Sequence, residues 1–505
     1  MQIIKKKNFF SNFILLSISL IINNFIFLIS THTVNGSVIA VIDSGVDINA
    51  NIIRNHLWIN KYEVPNNFMD DDNNGYIDDI FGWNFVDNNN LVIDNRYRNQ
   101  FNSDHKLFFD IQSKITYETA SEDEISWIKQ RINDKKFMNQ IKNVGTYIHG
   151  THVAGIAVNE TSENKIQSIK IISTPKSPDD EDDETNPDMA IEDLPIPLEI
   201  QQDVEIAIAN SLSDVDLIKY VLSKVAFRQM ELMKLVVKYA IKTDTQVANA
   251  SFGTSYSQGN MLATIFFRMI LKRFPTNEEL ESANDYFFDQ LILNGRTVFA
   301  SGNKILFIFA AGNDGVNNDL YPTTPTNVKL ENTISVAAWM NPTVNRPGEL
   351  ADFSNFGNKT VEVAAPGVGI VSIIPGSNYA CLSGTSQAAP FVSNIAGEIL
   401  NINPRLLPKE VKEIIIKTVD YKSVLRGKVT SSGVVNKNRA ILAATYSKRN
   451  SLSQAIRLAK EEMKSLPINS LNITSRTDPT IPPKYKELEY IIPIPSEFEN
   501  ILHFR

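Results

Sequence analysis

Residues 383–390, SGTSQAAP, decide the fold of this chain, because a turn of small residues runs there directly into a helical pattern. Seven apolar residues follow at helix spacing: Ala388, Ala389, Val392, Ile395, Ala396, Ile399 and Leu400. Ser386 should therefore lie at a helix N-terminus, where unpaired N–H groups and the helix dipole stabilise a developing oxyanion. That position suits a nucleophile, and it equally suits a serine that only caps the helix.

Length and composition restrict the class of protein. At 505 residues, 43% of them hydrophobic, the chain can form one large α/β core with insertions, or two domains. Its net charge of -8 argues against nucleic acid and favours peptides or a cation as partners. Cys381 is the only cysteine, so an internal disulfide framework is excluded and a buried, small apolar residue is expected there.

The N-terminal residues have the layout of an export signal. Three lysines at positions 5–7 precede an apolar run over residues 13–29. Because this run is almost long enough to span a bilayer, an uncleaved membrane anchor is the alternative. We therefore expect residues 1–36 to be a signal peptide or membrane anchor, and the rest to be secreted, periplasmic or at the cell surface.

Two patterns typical of buried strands end in polar residues. Residues 38–42, VIAVI, lead to Asp43, and residues 305–311, ILFIFAA, lead to Gly312 and Asn313. Active groups of open α/β sheets gather at the carboxyl ends of parallel strands. Asp43 could also be a turn or cap residue, and Asn313 could either form a turn or point its amide N–H into a crevice.

A third motif contains two histidines. In residues 149–157, HGTHVAGIA, a glycine leads into a helix of small residues. We expect His149 at the exposed helix start to be a general base, with His152 packed one turn further inside. A metal-binding pair is the alternative, but the zincin spacing with its intervening glutamate is absent.

An acidic loop follows the first strand. Residues 70–78, DDDNNGYID, match the first nine places of an EF-hand calcium loop. The expected calcium ligands are Asp70, Asp72, Asn74 and Asp78. Because place 12 is Phe81 rather than glutamate, the remaining ligand must come from elsewhere, with Asp79 as a candidate. The alternative is that the loop binds no metal and is only an acidic turn.

Four blocks together resemble the signature motifs of the subtilisin-like serine peptidases. They are VIDSG at 41–45, HGTHVAG at 149–155, AGN at 311–313 and GTS at 384–386. Their order is Asp, His, Ser, one of the known orders of this triad. The resemblance covers residues 37–445 and implies an α/β fold with a doubly wound, mostly parallel sheet flanked by helices. Insertions are expected near 95–145, 176–225 and 254–304, and a C-terminal helix and Pro-rich tail over 446–505.

The resemblance also implies roles for single residues. Ser386 attacks the substrate carbonyl, His149 transfers the proton, and Asp43 orients the imidazole. Asn313 donates to the oxyanion together with the Ser386 backbone N–H. Gln387 stands where the family usually has methionine, and it should pack behind the serine without reacting.

Substrate contacts are implied in the same way. The substrate backbone would lie along Ser251, Phe252 and Gly253 by β-augmentation. A pocket for an apolar side chain would be lined by Ala310, Ala311 and Gly312.

Two functions from different classes follow. The first is an exported serine endopeptidase whose partner is a protein or peptide and not nucleic acid. Membrane attachment through the N-terminal apolar segment is the alternative to signal cleavage. The second is a catalytically idle surface or binding protein, which the large insertions favour. The four catalytic positions carry suitable side chains, and this favours the enzyme.

Overall fold

The computed structural model describes residues 36–98, 100–158, 163–174, 198–344 and 347–464. The predicted signal or anchor, the acidic run at 179–184 and most of the Pro-rich tail lie outside these ranges. None of the helices within them combines the length and hydropathy that a membrane crossing requires.

The strands are short, and most are apolar and buried. In chain order they are β1 (Val38–Asp43), β2 (Gly82–Asn84), β3 (Lys165–Lys170), β4 (Val247–Ala250), β5 (Leu306–Ala310), β6 (Thr333–Met340), β7 (Glu349–Leu350), β8 (Val363–Pro366), β9 (Ile370–Ile374), β10 (Asn378–Leu382), β11 (Asp420–Tyr421) and β12 (Gly433–Val434). Within the described ranges, ten of them form one sheet, in the order β11-β12-β8-β6-β5-β4-β1-β3-β2 with β7 paired to β6. The β9–β10 hairpin stands apart from it.

Pairing in the large sheet is parallel except at β6–β7 and β11–β12. The flanking helices are α1 (Asn51–Asn55), α2 (Ser103–Thr116), α3 (Glu122–Ile132), α4 (Lys135–Val158), α5 (Leu198–Ala209), α6 (Asp214–Lys242), α7 (Tyr256–Leu271), α8 (Asn277–Ser301), α9 (Thr385–Ile402), α10 (Pro408–Lys417), α11 (Lys437–Ser447) and α12 (Leu452–Glu462). The predicted α/β class with a mostly parallel sheet is therefore confirmed.

The register of the central strands brings their carboxyl ends to one edge of the sheet. Ile42 of β1 lies opposite Ala250 of β4, and Ala250 lies opposite Phe309 of β5. Asp43 and Ser251 each follow directly, so both lie at this edge. Because parallel strands all point the same way, the polar residues after β5 reach the same edge.

The predicted insertion at 95–145 is helical and has its own hydrophobic cluster. It contains α2, α3 and the first part of α4; α2 packs against β10, and α3 packs against α2 and α4. We call this the insertion cluster; its buried residues are Ile93, Tyr97, Phe108, Phe109, Ile111, Ile115, Ile125, Ile128, Phe137, Ile141, Val144, Tyr147, Ile148, Ile374, Ala380 and Leu382.

The helix that carries His149 begins much earlier than predicted. We expected His149 at an exposed helix start, but α4 begins at Lys135 and the imidazole is only 1% exposed. This expectation was wrong because apolar residues upstream of the HGTH motif, among them Phe137 and Ile141, continue the buried helix face into the insertion cluster.

Candidate active site

A buried carboxylate and imidazole face each other where β1 meets α4. His149 Nδ1 lies 2.8 Å from Asp43 Oδ1 and 3.0 Å from Oδ2. Both side chains are at most 1% exposed. A carboxylate can only accept, so Nδ1 carries the hydrogen and Nε2 keeps its lone pair for a proton.

The loop after β1 holds this pair in place. The Ser44 backbone N–H donates to Asp43 Oδ1 at 2.7 Å, and the Gly150 N–H donates to Ser44 Oγ at 3.2 Å. A Cβ on Gly150 would lie 2.3 Å from the carbonyl oxygen of Gly45. Only glycine therefore lets α4 approach β1 closely enough for the imidazole to reach the carboxylate.

A buried lysine supports the same loop and was missed by the sequence analysis. Lys170, 2% exposed, ends β3 beside Asp43. Its Nζ donates to the carbonyl oxygens of Ser44 at 2.8 Å and Ile172 at 2.6 Å. Burial lowers the pKa of Lys170 to about 8, although nearby carboxylates, Asp43 among them, oppose this. The sequence did not predict this role, because a single lysine in a strand forms no recognisable motif.

The second histidine of the motif lies inside the protein. His152 Nε2 donates to the carbonyl oxygens of Ile370 and Ala380, at 3.1 and 3.2 Å. Burial lowers the pKa of His152 to about 3, so its imidazole is neutral near pH 7. It holds the β9–β10 hairpin against α4 and does not carry protons for a reaction.

Ser386 is the second residue of α9, as the sequence pattern predicts. Its backbone N–H thus belongs to the first turn, whose N–H groups have no acceptor within the helix. Its hydroxyl donates to the carbonyl oxygen of Ser251 at 3.1 Å, and Ser251 Oγ donates to the carbonyl oxygen of Ser386 at 3.0 Å. These bonds fix the start of α9 to the end of β4, the strand adjacent to β1 and Asp43.

Asn313 is anchored through its amide oxygen alone. The backbone N–H and the hydroxyl of Thr385 both donate to Asn313 Oδ1, at 2.9 and 2.8 Å. Since a backbone N–H requires an acceptor, the orientation of the amide is determined. Asn313 Nδ2 is buried and has no hydrogen-bond partner. A buried donor is thus left unused beside the first turn of α9.

Comparison with known proteins identifies the family. The sequence model of the subtilase family matches residues 34–441, well over half of the chain. The chain belongs to the subtilase family. This agrees with the resemblance found in its four sequence blocks.

Individual relatives of this subtilase are distant. Subtilisin-like protease 1 of Plasmodium falciparum (isolate 3D7) is 24% identical over 444 residues, which are 85% of this chain and 46% of that protein. The cell wall-associated protease of Bacillus subtilis (strain 168) is 38% identical over 117 residues, 23% of this chain and 12% of that protein. The subtilase thus spans at most about half the length of these curated relatives.

Solved structures resemble the subtilase at low identity. A lanthipeptide protease aligns over 81% of this chain and 88% of its own, with a TM-score of 0.44 and 15% identity. A cold-adapted subtilisin-like serine proteinase aligns over 80% and 89%, with a TM-score of 0.38 and 17% identity.

The residues expected to bind substrate are all buried, and one of them contacts Ser386. Ser251 contacts Ser386 directly, Phe252 is 1% exposed, and a Cβ on Gly253 would lie 2.6 Å from the carbonyl oxygen of Thr324. The three residues of the expected pocket, Ala310, Ala311 and Gly312, follow one another at the end of β5 and lead to Asn313. Ala310 and Ala311 are completely buried.

In the acidic loop of this subtilase, all four expected metal ligands accept backbone N–H groups. Asp70 accepts from the backbone N–H groups of Asn74 and Gly75, at 2.9 and 2.8 Å. Asp78 accepts from the N–H groups of residues 67 and 68, at 3.3 and 3.0 Å. Asp72 Oδ1 accepts from the Asn74 N–H at 2.9 Å, and Asn74 Oδ1 accepts from the Tyr76 N–H at 2.8 Å. Asn74 Nδ2 also donates to Asp72 Oδ2 at 3.1 Å.

A different set of carboxylates converges beside this loop. Within the described ranges, Glu63, Asp72 and Asp79 bring one oxygen each within 4.8 Å of the others. Burial raises the pKa of Asp79 to about 6, and the charge of Asp72 adds to that rise. Asp79 was named from the sequence, but Glu63 was missed because it lies upstream of the motif and outside its spacing.

Proposed function

We propose that this subtilase is an exported serine endopeptidase that cleaves peptide bonds through Asp43, His149 and Ser386. The observation that carries the proposal is the unpaired Nδ2 of Asn313. Other buried donors also lack partners, Trp83 Nε1 and Gln167 Nε2 among them, but this one lies beside the first turn of α9, where the Ser386 N–H has no acceptor within the helix. An oxyanion that exists only during the reaction is a suitable acceptor for it.

The proposed reaction takes its roles from the subtilase family, because the described hydrogen bonds join His149 to Asp43 and Ser386 to Ser251, but not His149 to Ser386. When substrate binds, the Ser386 hydroxyl turns from the Ser251 carbonyl towards the imidazole, and His149 Nε2 takes its proton. The oxygen attacks the peptide carbonyl, while Asp43 keeps the proton on Nδ1 and stabilises the imidazolium. Asn313 Nδ2 and the Ser386 N–H donate to the oxyanion.

The second half of the reaction restores the enzyme. The imidazolium gives its proton to the leaving amine, and an acyl group remains on Ser386. Water then attacks this ester with His149 as the base, which releases the carboxylic acid product and the free hydroxyl. The substrate backbone would lie along Ser251, Phe252 and Gly253, and its apolar side chain would enter the pocket at Ala310, Ala311 and Gly312.

One observation favours the alternative of a catalytically idle binding protein. Asp43, His149 and Ser386 are all at most 2% exposed. A substrate backbone therefore needs a local opening before it can reach the nucleophile. A small reactive probe separates an enzyme with restricted access from an idle protein, because such a probe needs less opening than a peptide does.

The test is covalent labelling by a small fluorophosphonate, located by peptide mass spectrometry. We expect the label on Ser386, none on Ser386→Ala, and full labelling of Ser393→Ala. Ser393→Ala is the control, because it also removes a buried hydroxyl from α9. Ser393 Oγ donates to Asn249 Oδ1 at 2.8 Å. If the folded parent protein is not labelled, the idle alternative is correct.

We also propose that the acidic loop binds a structural calcium ion. Two ligand sets are available: the sequence motif, Asp70, Asp72, Asn74 and Asp78, and the converging carboxylates, Glu63, Asp72 and Asp79. Oxygen ligands suit calcium, and a cation would offset the repulsion that helps to raise the pKa of Asp79.

Calcium at 100 times its dissociation constant should stabilise the fold by about 2.7 kcal/mol, because only the folded state holds the ligands together. The measurement is a thermal melt in EGTA and in millimolar calcium. Asp72→Asn should lose the calcium response whichever ligand set is correct, because Asp72 belongs to both. Loss of the response in Asp70→Asn indicates the sequence motif, and loss in Glu63→Gln indicates the converging carboxylates. If EGTA does not change the melting midpoint of the parent protein, the loop holds no structural metal and is only an acidic turn.

A further inference from the structure

A tyrosine of the insertion contacts a chain segment that lies next to the start of α9. Tyr117 caps the C-terminus of α2, and its hydroxyl donates to the carbonyl oxygen of Val368 at 3.0 Å. Its ring lies against Gly369, where an added Cβ would lie 2.7 Å from Tyr117 Cε2. Gly369 has a φ of +63°, in the left-handed region that favours glycine. Only glycine at this position therefore leaves room for the tyrosine ring.

The same segment is hydrogen-bonded to the residues that precede α9. We call these residues, Ser383 and Gly384, the nucleophile turn. The Gly369 N–H donates to Ser383 Oγ at 2.9 Å, and the Gly384 N–H donates to the carbonyl oxygen of Gly367 at 2.8 Å. The segment and the turn flank the open end of the β9–β10 hairpin. Tyr117 thus supports the nucleophile turn through one intervening stretch of backbone.

The nucleophile turn determines where both proposed oxyanion donors lie. Gly384 caps α9, and Ser386 follows two residues later. Thr385, between them, holds the amide oxygen of Asn313 with its N–H and its hydroxyl, at 2.9 and 2.8 Å. A displacement of the turn would therefore move the Ser386 N–H and Asn313 Nδ2 together. Such a displacement is costly, since a misplacement of about 1 Å can reduce a catalytic rate about 100-fold.

A second contact of α2 acts on the strand that leads into the turn. The Cys381 thiol, in β10, donates to Ser113 Oγ at 3.2 Å. Ser113 lies four residues before Tyr117, so both project from the same face of α2. The insertion thus contacts the chain on both sides of the open end of the hairpin, before β9 through Tyr117 and near the end of β10 through Ser113.

We propose that Tyr117 is a positioning residue, which holds the nucleophile turn in the geometry that oxyanion stabilisation requires. The assignment rests on the proposed peptidase function. The described contacts of Tyr117 go to Val368 and Gly369, so it acts through the turn and not on the substrate. The strand edge expected to bind the substrate backbone, residues 251–253, follows β4 and is not part of these contacts. Removal of the tyrosine should therefore lower kcat and leave KM nearly unchanged.

The test shortens the tyrosine in two steps. Tyr117→Phe removes only the hydroxyl, and we expect kcat for a chromogenic peptide to fall about three- to tenfold. Tyr117→Ala also removes the ring, and kcat should fall about 100-fold, with KM within about threefold of the parent. Affinity for a peptide boronic acid, which forms a tetrahedral adduct on the serine, should fall by the same factor as kcat.

A small probe distinguishes positioning from access to the site. The fluorophosphonate also depends on the oxyanion donors, so its rate of reaction with Ser386 should fall together with kcat in both variants. If Tyr117 only restricted the entry of peptides, its removal would leave the labelling rate unchanged or increase it.

The matched control is Tyr446→Ala in α11. Tyr446, like Tyr117, is partly buried against the main core, and its hydroxyl donates to a neighbouring element through Glu462 of α12. Its removal should lower the melting temperature but leave kcat, KM and the labelling rate of the folded enzyme within about twofold of the parent. A general loss of packing is thereby separated from a displaced nucleophile turn.

Gly369→Ala tests the same contact from its other partner. The added Cβ would collide with the tyrosine ring, so kcat should again fall with little change in KM. In the double variant with Tyr117→Ala the ring is absent. The combined loss of kcat should therefore be smaller than the product of the two single losses.

Four results would overturn the assignment in a parent enzyme that hydrolyses peptide: an unchanged kcat in Tyr117→Ala, a rise in KM alone, the same loss in Tyr446→Ala, or fully multiplicative losses in the double variant. If Tyr117→Ala does not fold, Tyr117→Phe and Gly369→Ala give the same comparison of kcat, KM and boronic acid affinity. If the parent neither hydrolyses peptide nor reacts with the fluorophosphonate, the proposed function itself fails, and this result is distinct from the other four.

Discussion

Ser386→Ala is expected to reduce kcat for a peptide substrate by about 10⁶, the loss found when a serine peptidase loses its nucleophile. The change removes one hydroxyl, whose described hydrogen bond goes to the Ser251 carbonyl. The reciprocal bond, from Ser251 Oγ to the Ser386 backbone, does not depend on that hydroxyl. The variant should therefore fold normally, and single-turnover assays with a chromogenic peptide measure the loss.

The control for this prediction is Ser393→Ala on the same helix. It should keep kcat within about tenfold of the parent, because its hydroxyl contacts Asn249 and not the reacting groups. Turnover in Ser386→Ala close to that of the parent would exclude Ser386 as the nucleophile. Circular dichroism and a thermal melt establish that both variants are folded.

Asn313→Ala is expected to lower kcat by about 10²–10³ with little change in KM, the range found for removing one oxyanion donor. Its Nδ2 has no partner in the free protein, so no ground-state hydrogen bond is lost with it. Its Oδ1, however, accepts two bonds from Thr385. Steady-state kinetics on the purified variant measure the loss of kcat, and a thermal melt measures the effect of losing the two hydrogen bonds from Thr385.

The matched control is Asn294→Ala in α8. Asn294 Nδ2 donates only to the carbonyl oxygen of Gln290, one turn back on its own helix, at 2.8 Å. Both kinetic constants should stay within about twofold of the parent. A large rise in KM for Asn313→Ala, with kcat unchanged, would make Asn313 a residue that binds substrate and not one that stabilises the oxyanion.

The positions of Asp43, Asn313 and Ser386 follow from local sequence patterns. A parallel strand buried on both faces reads as an unbroken apolar run, so the polar residue that ends it is conspicuous. Both β1 and β5 have this form. The start of α9 is marked as clearly, because small residues precede regular apolar spacing. What these residues do chemically was inferred from the resemblance and stays a prediction.

The start of α4 could not be read in the same way. Gly145 and Gly150 interrupt the pattern around the histidine, and glycines usually indicate a helix end or a turn. Here Gly150 instead allows α4 to pack closely against the loop after β1, because a Cβ would collide with the carbonyl oxygen of Gly45. The reason for that glycine lies in the loop after β1, more than a hundred residues away in the chain, so no local window contains it.

Glu63 shows a second limit of the sequence. A calcium loop is recognised by the spacing of oxygen ligands within one short segment. Glu63 reaches the site from outside that segment, with its Oε1 accepting the backbone N–H groups of Asp71 and Asp72 at 3.0 and 3.2 Å. Only the folded loop brings its carboxylate next to Asp72 and Asp79.

The unbroken helix α4 also constrains how this protein can change over evolution. His149 lies deep within a helix that begins at Lys135 and contributes Phe137 and Ile141 to the insertion cluster. Adding or deleting one residue between them would turn the upstream part by about 100° relative to the imidazole, because an α-helix has 3.6 residues per turn. Length changes before Lys135 carry no such rotation. Descendants of this gene can therefore lengthen or shorten the insertion more readily in the loops upstream of α4 than between Lys135 and His149.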